Sequence, residues 1–169
     1  ENDQLKEQLD TYRSTLAQYE QNSYELDRLQ KLYELDSQYT DYDKTGARVI
    51  SKDTGNWFDV FYIDKGTDDG LSIGCNVLYG NGLCGIITEI GADYAKVRSI
   101  IDDTTNVNAT ILPAQAICNV SGSLTNYADG YLLAENIDKD ADISEGDQVV
   151  TSHVSSKYLS GINIGYIAK

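Results

Sequence analysis

The sequence predicts a mainly β protein with one long N-terminal α-helix, a coiled-coil helix followed by two small β-barrels. Three observations lead there. Residues 1 to about 38 contain no glycine or proline and return an apolar side chain every three or four positions. From Ala47 onward, short β-branched and aromatic runs alternate with Gly, Asn and Asp turns. Two glycine-rich stretches, around residues 63–87 and 146–167, repeat one order of residues, as two related barrels would.

The helix comes first. Stepping by four and three from Leu5 gives Leu5, Leu9, Tyr12, Leu16, Tyr19, Ser23, Leu26, Gln30 and Tyr33, and Glu, Gln, Lys and Arg fill most other positions. A 3.5-residue period held over about four heptads describes a coiled-coil seam rather than the wider stripe of a globular helix. At 1.5 Å per residue such a helix is roughly 50 Å long, more than the following domain needs for its own core. Residues 1–40 therefore read as a dimerisation helix with Leu5, Leu9, Tyr12, Leu16, Tyr19, Leu26 and Tyr33 on its seam. The tyrosines are bulky for that position and imply loose pairing. Leu29, Leu32 and Leu35 broaden the stripe and place the last turns against the next domain. Gln38 to Gly46 is polar, ends in glycine and reads as the helix exit.

Strand signals follow at Ala47–Ser51 and Trp57–Ile63. Val77–Tyr79 and Leu83–Ile87 then flank Gly80-Asn81-Gly82, and an Asn-Gly pair between apolar runs marks a hairpin. Tyr94–Ile101 and Val107–Leu112 bring the number of strands to six, assigned to a first barrel over residues 41–113. Pro113, the only proline, marks the expected boundary. Beyond it, Ala116–Ser121, Tyr131–Ala134, Gln148–Thr151 and Ile162–Ile167 make a second barrel over residues 114–169. The echo runs from Asp69-Gly70, Val77-Leu78 and Gly82–Ile87 to Gly146-Asp147, Val149-Val150 and Gly161–Ile167. Gly66, Gly70, Gly74, Gly82, Gly85, Gly146, Gly161 and Gly165 are accordingly read as structural.

Chemistry is harder to find. The net charge of −14, from 27 acidic and 13 basic residues, argues against nonspecific binding to nucleic acid or anionic lipid headgroups. No apolar run approaches the roughly 20 residues that span a bilayer. Cys75, Cys84 and Cys118 form no CxxC, and His153 is the only histidine, so the thiols read as small apolar residues rather than zinc or redox ligands. Asp138, Asp140 and Asp142 alternate as in a calcium loop, but Ile143 and Val149 stand where glycine and glutamate belong. Asp147, Ser152 and His153 invite a hydrolase reading, which fails because neighbours on a strand point to opposite faces. No catalytic residue, metal or cofactor is expected.

One combination is more specific. A heptad helix, then Ile63-Asp64-Lys65-Gly66, Asp69-Gly70-Leu71, Gly74, Val77, Gly82-Leu83, Gly85 and Ile87 resembles the extracytoplasmic region of the rod shape-determining MreC family. Gly146-Asp147-Gln148-Val149-Val150-Thr151-Ser152, with Gly161-Ile162-Asn163-Ile164-Gly165, is similar to that family's second signature. His153 and Leu159 depart from it, where the family usually has glycine and proline. The resemblance implies barrels of trypsin-like fold without catalytic residues, with family strands beyond Lys169 that would leave the second barrel incomplete here. It implies a single-pass membrane protein whose transmembrane helix precedes these residues, with this region on the extracytoplasmic side. It also implies a non-enzymatic cell-elongation scaffold that organises peptidoglycan synthases. The partners so implied are a second copy or higher self-association, a class B penicillin-binding protein, MreD and other elongation proteins. The alternative, a periplasmic adaptor of an export or efflux assembly, normally carries two antiparallel helices, and this chain has one heptad segment.

Overall fold

The computed structural model describes residues 2–52, 59–154 and 156–168. Residues 1–44 and 45–169 form two compact units.

In the first unit, helix α1 runs Asn2–Gln38 and has no buried residue. Its polar face carries ion pairs at helical spacing, Glu25–Arg28 at 2.6 Å and Asp27–Lys31 at 2.8 Å. Lys44 closes the C-terminal end. Its ammonium pairs with the Asp36 carboxylate at 2.9 Å and donates to the carbonyls of Asp36 and Tyr39, placing a cation where the last helical carbonyls lack partners.

The second unit is built from two antiparallel five-stranded sheets. Strands β1 (Val49–Lys52), β2 (Val60–Ile63), β3 (Asn76–Tyr79), β4 (Gly82–Ile90) and β5 (Ala95–Ser99) form the first, in the order β1-β2-β5-β4-β3. Strands β6 (Asn106–Leu112), β7 (Ala116–Ser121), β8 (Leu133–Glu135), β9 (Gln148–Thr151) and β10 (Asn163–Tyr166) form the second, in the order β10-β9-β6-β7-β8. All of these overlap segments read as strands from the sequence; Trp57 and Phe58, expected to open β2, lie outside the described residues. A 3-10 turn at Thr67–Asp69 and a short helix α2 at Leu124–Ala128, capped by the Ser123 hydroxyl, were not anticipated.

The expected division at Pro113 is displaced. Ile111 pairs with Ala116, so Pro113 lies in the hairpin turn between β6 and β7, and the change of sheet comes earlier, between β5 and β6. The sixth strand of the predicted first barrel thus belongs to the second sheet. Proline sets a tight turn as readily as it marks a linker. The true connection was hidden by its buried residues Ile100 and Ile101, which read as strand continuation. Thr105 ties it down, its hydroxyl donating to Ser99 O at 3.0 Å.

Alternation builds the cores. On β5, Ala95 and Val97 point inward with Ile63 and Ile87, and Phe61, Leu71, Cys75, Val77 and Ile90 pack around them. In the second sheet, Val107, Ala109 and Ile111 on β6 face inward, as do Ala116, Cys118 and Val120 on β7.

The echo in the sequence is a repeated hairpin. Gly74 N–H donates to Ile87 O at 2.9 Å and Ile87 N–H to Cys75 O at 3.0 Å; Gly146 N–H donates to Ile167 O at 2.8 Å and Ile167 N–H to Asp147 O at 2.9 Å. The register matches as well. Asn76 opposes Ile86, Val77 opposes Gly85, and after a bulge Leu78 opposes Leu83. Gln148 opposes Tyr166, Val149 opposes Gly165, and after a bulge Val150 opposes Asn163. The two copies differ in their connection, Gly80-Asn81 in the first and residues 152–161 in the second. In the first, the positive φ of 65° falls on Gly80 and not within the Asn-Gly pair, the arrangement of a type II′ turn.

These hairpins meet where β10 packs on β4. A Cβ on Gly82 would stand 2.5 Å from the Asn163 carbonyl oxygen. Gly82→Ala should therefore destabilise the chain by about 1–3 kcal/mol through overpacking against backbone. Gly46→Ala, where a Cβ meets nothing within 4 Å, should be close to neutral. Denaturant unfolding of the two variants checks this contrast.

Candidate association surfaces

The seven seam residues Leu5, Leu9, Tyr12, Leu16, Tyr19, Leu26 and Tyr33 are between 50% and 75% exposed. Leu29 and Leu32 are about half exposed too, and Leu35 is partly buried. A helix normally draws most of its stability from burying one face. Burying a leucine side chain contributes about 1.5–3 kcal/mol, so an apolar partner on this stripe would stabilise α1.

The sheets offer a second kind of surface. β1 is an edge strand with every residue exposed, including Val49 and Ile50. β8 is the corresponding edge of the second sheet, where Leu133 is exposed, and Ile117 is exposed on the neighbouring β7. Unpaired backbone beside apolar side chains can accept another strand.

The residues that invited a hydrolase reading are held apart by local bonding. Ser152 is buried and its hydroxyl accepts from Val154 N–H at 3.2 Å, whereas His153 is exposed. Both lie just beyond the end of β9 rather than on it. The Asp147 carboxylate accepts from Ser144 N–H at 2.8 Å. Asp138 likewise closes a turn by accepting from Asp140 N–H, and no group of three His, Cys, Asp or Glu able to hold a metal occurs among the described residues. The three thiols are free; burial pushes Cys84 up to about 11 and Cys118 upward, which disfavours the reactive thiolate.

The glycines of the signature divide by role. Gly66, Gly82 and Gly85 allow backbone to approach within 2.3–2.5 Å of where a Cβ would stand, and Gly70, Gly74, Gly146 and Gly161 hold positive φ. Gly165 shows neither feature. Asp69 completes the first signature. Its carboxylate accepts from Gly66 N–H at 3.1 Å and pairs with Lys65 at 3.1 Å, and these contacts hold its pKa below the usual carboxylate value.

A family model described as rod shape-determining protein MreC, barrel core, matches residues 49–169. The chain belongs to the MreC family. It is 33% identical over 175 residues to the cell shape-determining protein MreC of Listeria monocytogenes, aligning 100% of this chain with 58% of that relative. The chain thus spans little more than half the length of that MreC. A solved MreC structure from L. monocytogenes superposes at TM-score 0.70 with 30% identity, covering 95% of this chain and 79% of that one. A complex between penicillin-binding protein PBP2 and MreC from Helicobacter pylori contains the same fold at TM-score 0.60 and 16% identity, covering 74% of this chain and 76% of that one. The MreC fold seen here is one N-terminal helix followed by β-sheets.

Asp69 gives a pH test. Its native pKa is depressed, so its stabilisation is complete above the unfolded value of roughly 4 and is lost as pH falls through the native value. Asp69→Asn should flatten the acid limb of the curve of melting temperature against pH and leave the slope above about pH 6 unchanged.

Proposed function

We propose that the chain is a non-enzymatic scaffold of bacterial cell elongation, maintaining rod shape by organising peptidoglycan synthases outside the membrane. The observation that carries this reading is the pairing of an open apolar seam along α1 with a family match over the whole β region. The helix joins two copies along Leu5, Leu9, Tyr12, Leu16, Tyr19, Leu26 and Tyr33, and a membrane anchor preceding the helix holds the dimer at the cell membrane. The β unit then stands on the extracytoplasmic side as a docking module, with further self-association at its edge strands. The MreC–PBP2 complex from H. pylori supports a class B penicillin-binding protein as a partner here. MreD and other elongation proteins are the remaining partners of this assembly.

Analytical ultracentrifugation tests the seam. The wild-type chain should associate with rising concentration, and the double change Leu9→Ser with Leu16→Ser should raise the dissociation constant by at least about tenfold, since it removes two buried leucines per helix. A wild-type chain that remains monomeric at millimolar concentration contradicts the seam. In a rod-shaped cell depleted of its own MreC, the same double variant should leave cells rounded where wild type restores rods.

A further inference from the structure

Leu159 belongs to neither sheet, yet its backbone is held by both. Its N–H donates to the Asn76 side chain of β3 at 2.7 Å, and its C=O accepts from the Thr151 hydroxyl of β9. β3 is a strand of the first sheet and β9 a strand of the second. A line of hydrogen bonds therefore runs from one sheet to the other through a single residue whose own side chain is exposed.

Both ends of that line are secured. The Asn76 amide also donates to Gly74 O at 3.2 Å and to Lys157 O at 3.3 Å, so it holds the backbone on both sides of Tyr158. Thr151 is 1% exposed. Its hydroxyl accepts from Ile162 N–H at 2.8 Å, its N–H donates to Ile162 O at 2.8 Å, and its C=O accepts from Gly161 N–H at 3.0 Å. These bonds close the connection 152–161 at its base.

The segment is packed as well as bonded. Asn76 opposes Ile86 and Ile86 opposes Arg98, so the three side chains share one face of the first sheet. The next row, Ile87 and Val97, belongs to the core on the other face. Tyr158 lies over the outer row, between the two residues that Asn76 holds and near enough to Arg98 for the guanidinium charge to act on the phenol. Tyr158 and Ile86 are buried there, whereas Ser156, Lys157, Leu159 and Ser160 are exposed.

A turn does not require so long a connection, since the first hairpin closes the same register with Gly80-Asn81. Elsewhere the sheets are joined by the link between β5 and β6 and by the close approach of Gly82 to Asn163. Close approach limits distance, while hydrogen bonds fix distance and direction together.

We propose that residues 157–159 are a brace, and that the line Asn76–Leu159–Thr151 makes the two sheets one cooperative unit. With the brace in place, neither sheet opens without the other. Without it each opens on its own, as separate local units do. The brace also fixes the spacing between the edge strands β1 and β8, which lie on different sheets. This coupling is a property of the β unit and stands whether or not those edges dock a partner or α1 pairs.

Native-state hydrogen exchange on the full chain tests it, with Val97→Ala as the perturbation. Val97 is fully buried in the core of the first sheet. On its own, Val97→Ala should speed the slowest amides of β4 and β5 and those of β6 and β7 by one common factor, about tenfold or more. In an Asn76→Ala background it should speed β4 and β5 as before and leave β6 and β7 within about twofold. Asn76→Asp keeps an acceptor for Leu159 N–H and should restore the common factor. Leu159→Pro cuts the same bond from the other side and should behave as Asn76→Ala does. Circular dichroism establishes folding, and either cut decides the matter if the other does not fold. A common factor that persists in a folded cut variant overturns the proposal, and so does a response confined to the first sheet when Asn76 and Leu159 are both intact.

Discussion

Close contact between two backbones, β4 at Gly82 and β10 at Asn163, is the constraint on which the β unit depends. There is no room for a Cβ between them, and the side chain of Asn76 adds two backbone hydrogen bonds to residues 157–159 on the same side. The contact joins the two sheets into one compact unit although few residues connect them in sequence. It also explains why a hairpin repeated within the chain carries two different connections. The two-residue turn at Gly80-Asn81 is enough to close the register. The long connection at residues 152–161 is additional chain that reaches across to the partner sheet.

Much of this was legible in the sequence. Period-two runs bounded by glycine located every described strand, because strand alternation and turn chemistry are local properties. The helix was equally plain from the heptad positions between Leu5 and Tyr33. The sheet to which each strand belongs was not legible, since it is set by long-range pairing. Val107–Leu112 joined the wrong barrel for that reason, and Pro113 was read as a boundary when it turns a hairpin. The echo of glycines carried more than its low identity promised, because hydrogen bonds and register repeat between residues that share no side-chain chemistry, such as Cys75 and Asp147. The long-range grip of Asn76 gave no signal. An asparagine on a strand looks like any polar edge residue until the segment it grips is known, and that segment lies 81 residues away.

The helix poses the opposite case. Its sequence pattern is strong, yet within one chain it satisfies none of the burial that the pattern calls for. Seven seam residues and two further leucines stay open along 37 residues of helix. On the proposed reading a second copy presents a matching stripe and covers it. The β unit needs no such partner for its core. On that reading the β unit folds alone and the helix is completed by association.

Hydrogen exchange measured residue by residue across a range of protein concentration tests that division most directly. Amide protection between Leu5 and Tyr33 should rise with concentration, while protection in β4, β5, β6 and β7 should not change. Helix protection that is the same at all concentrations, or sheet protection that rises in step with it, would contradict the account.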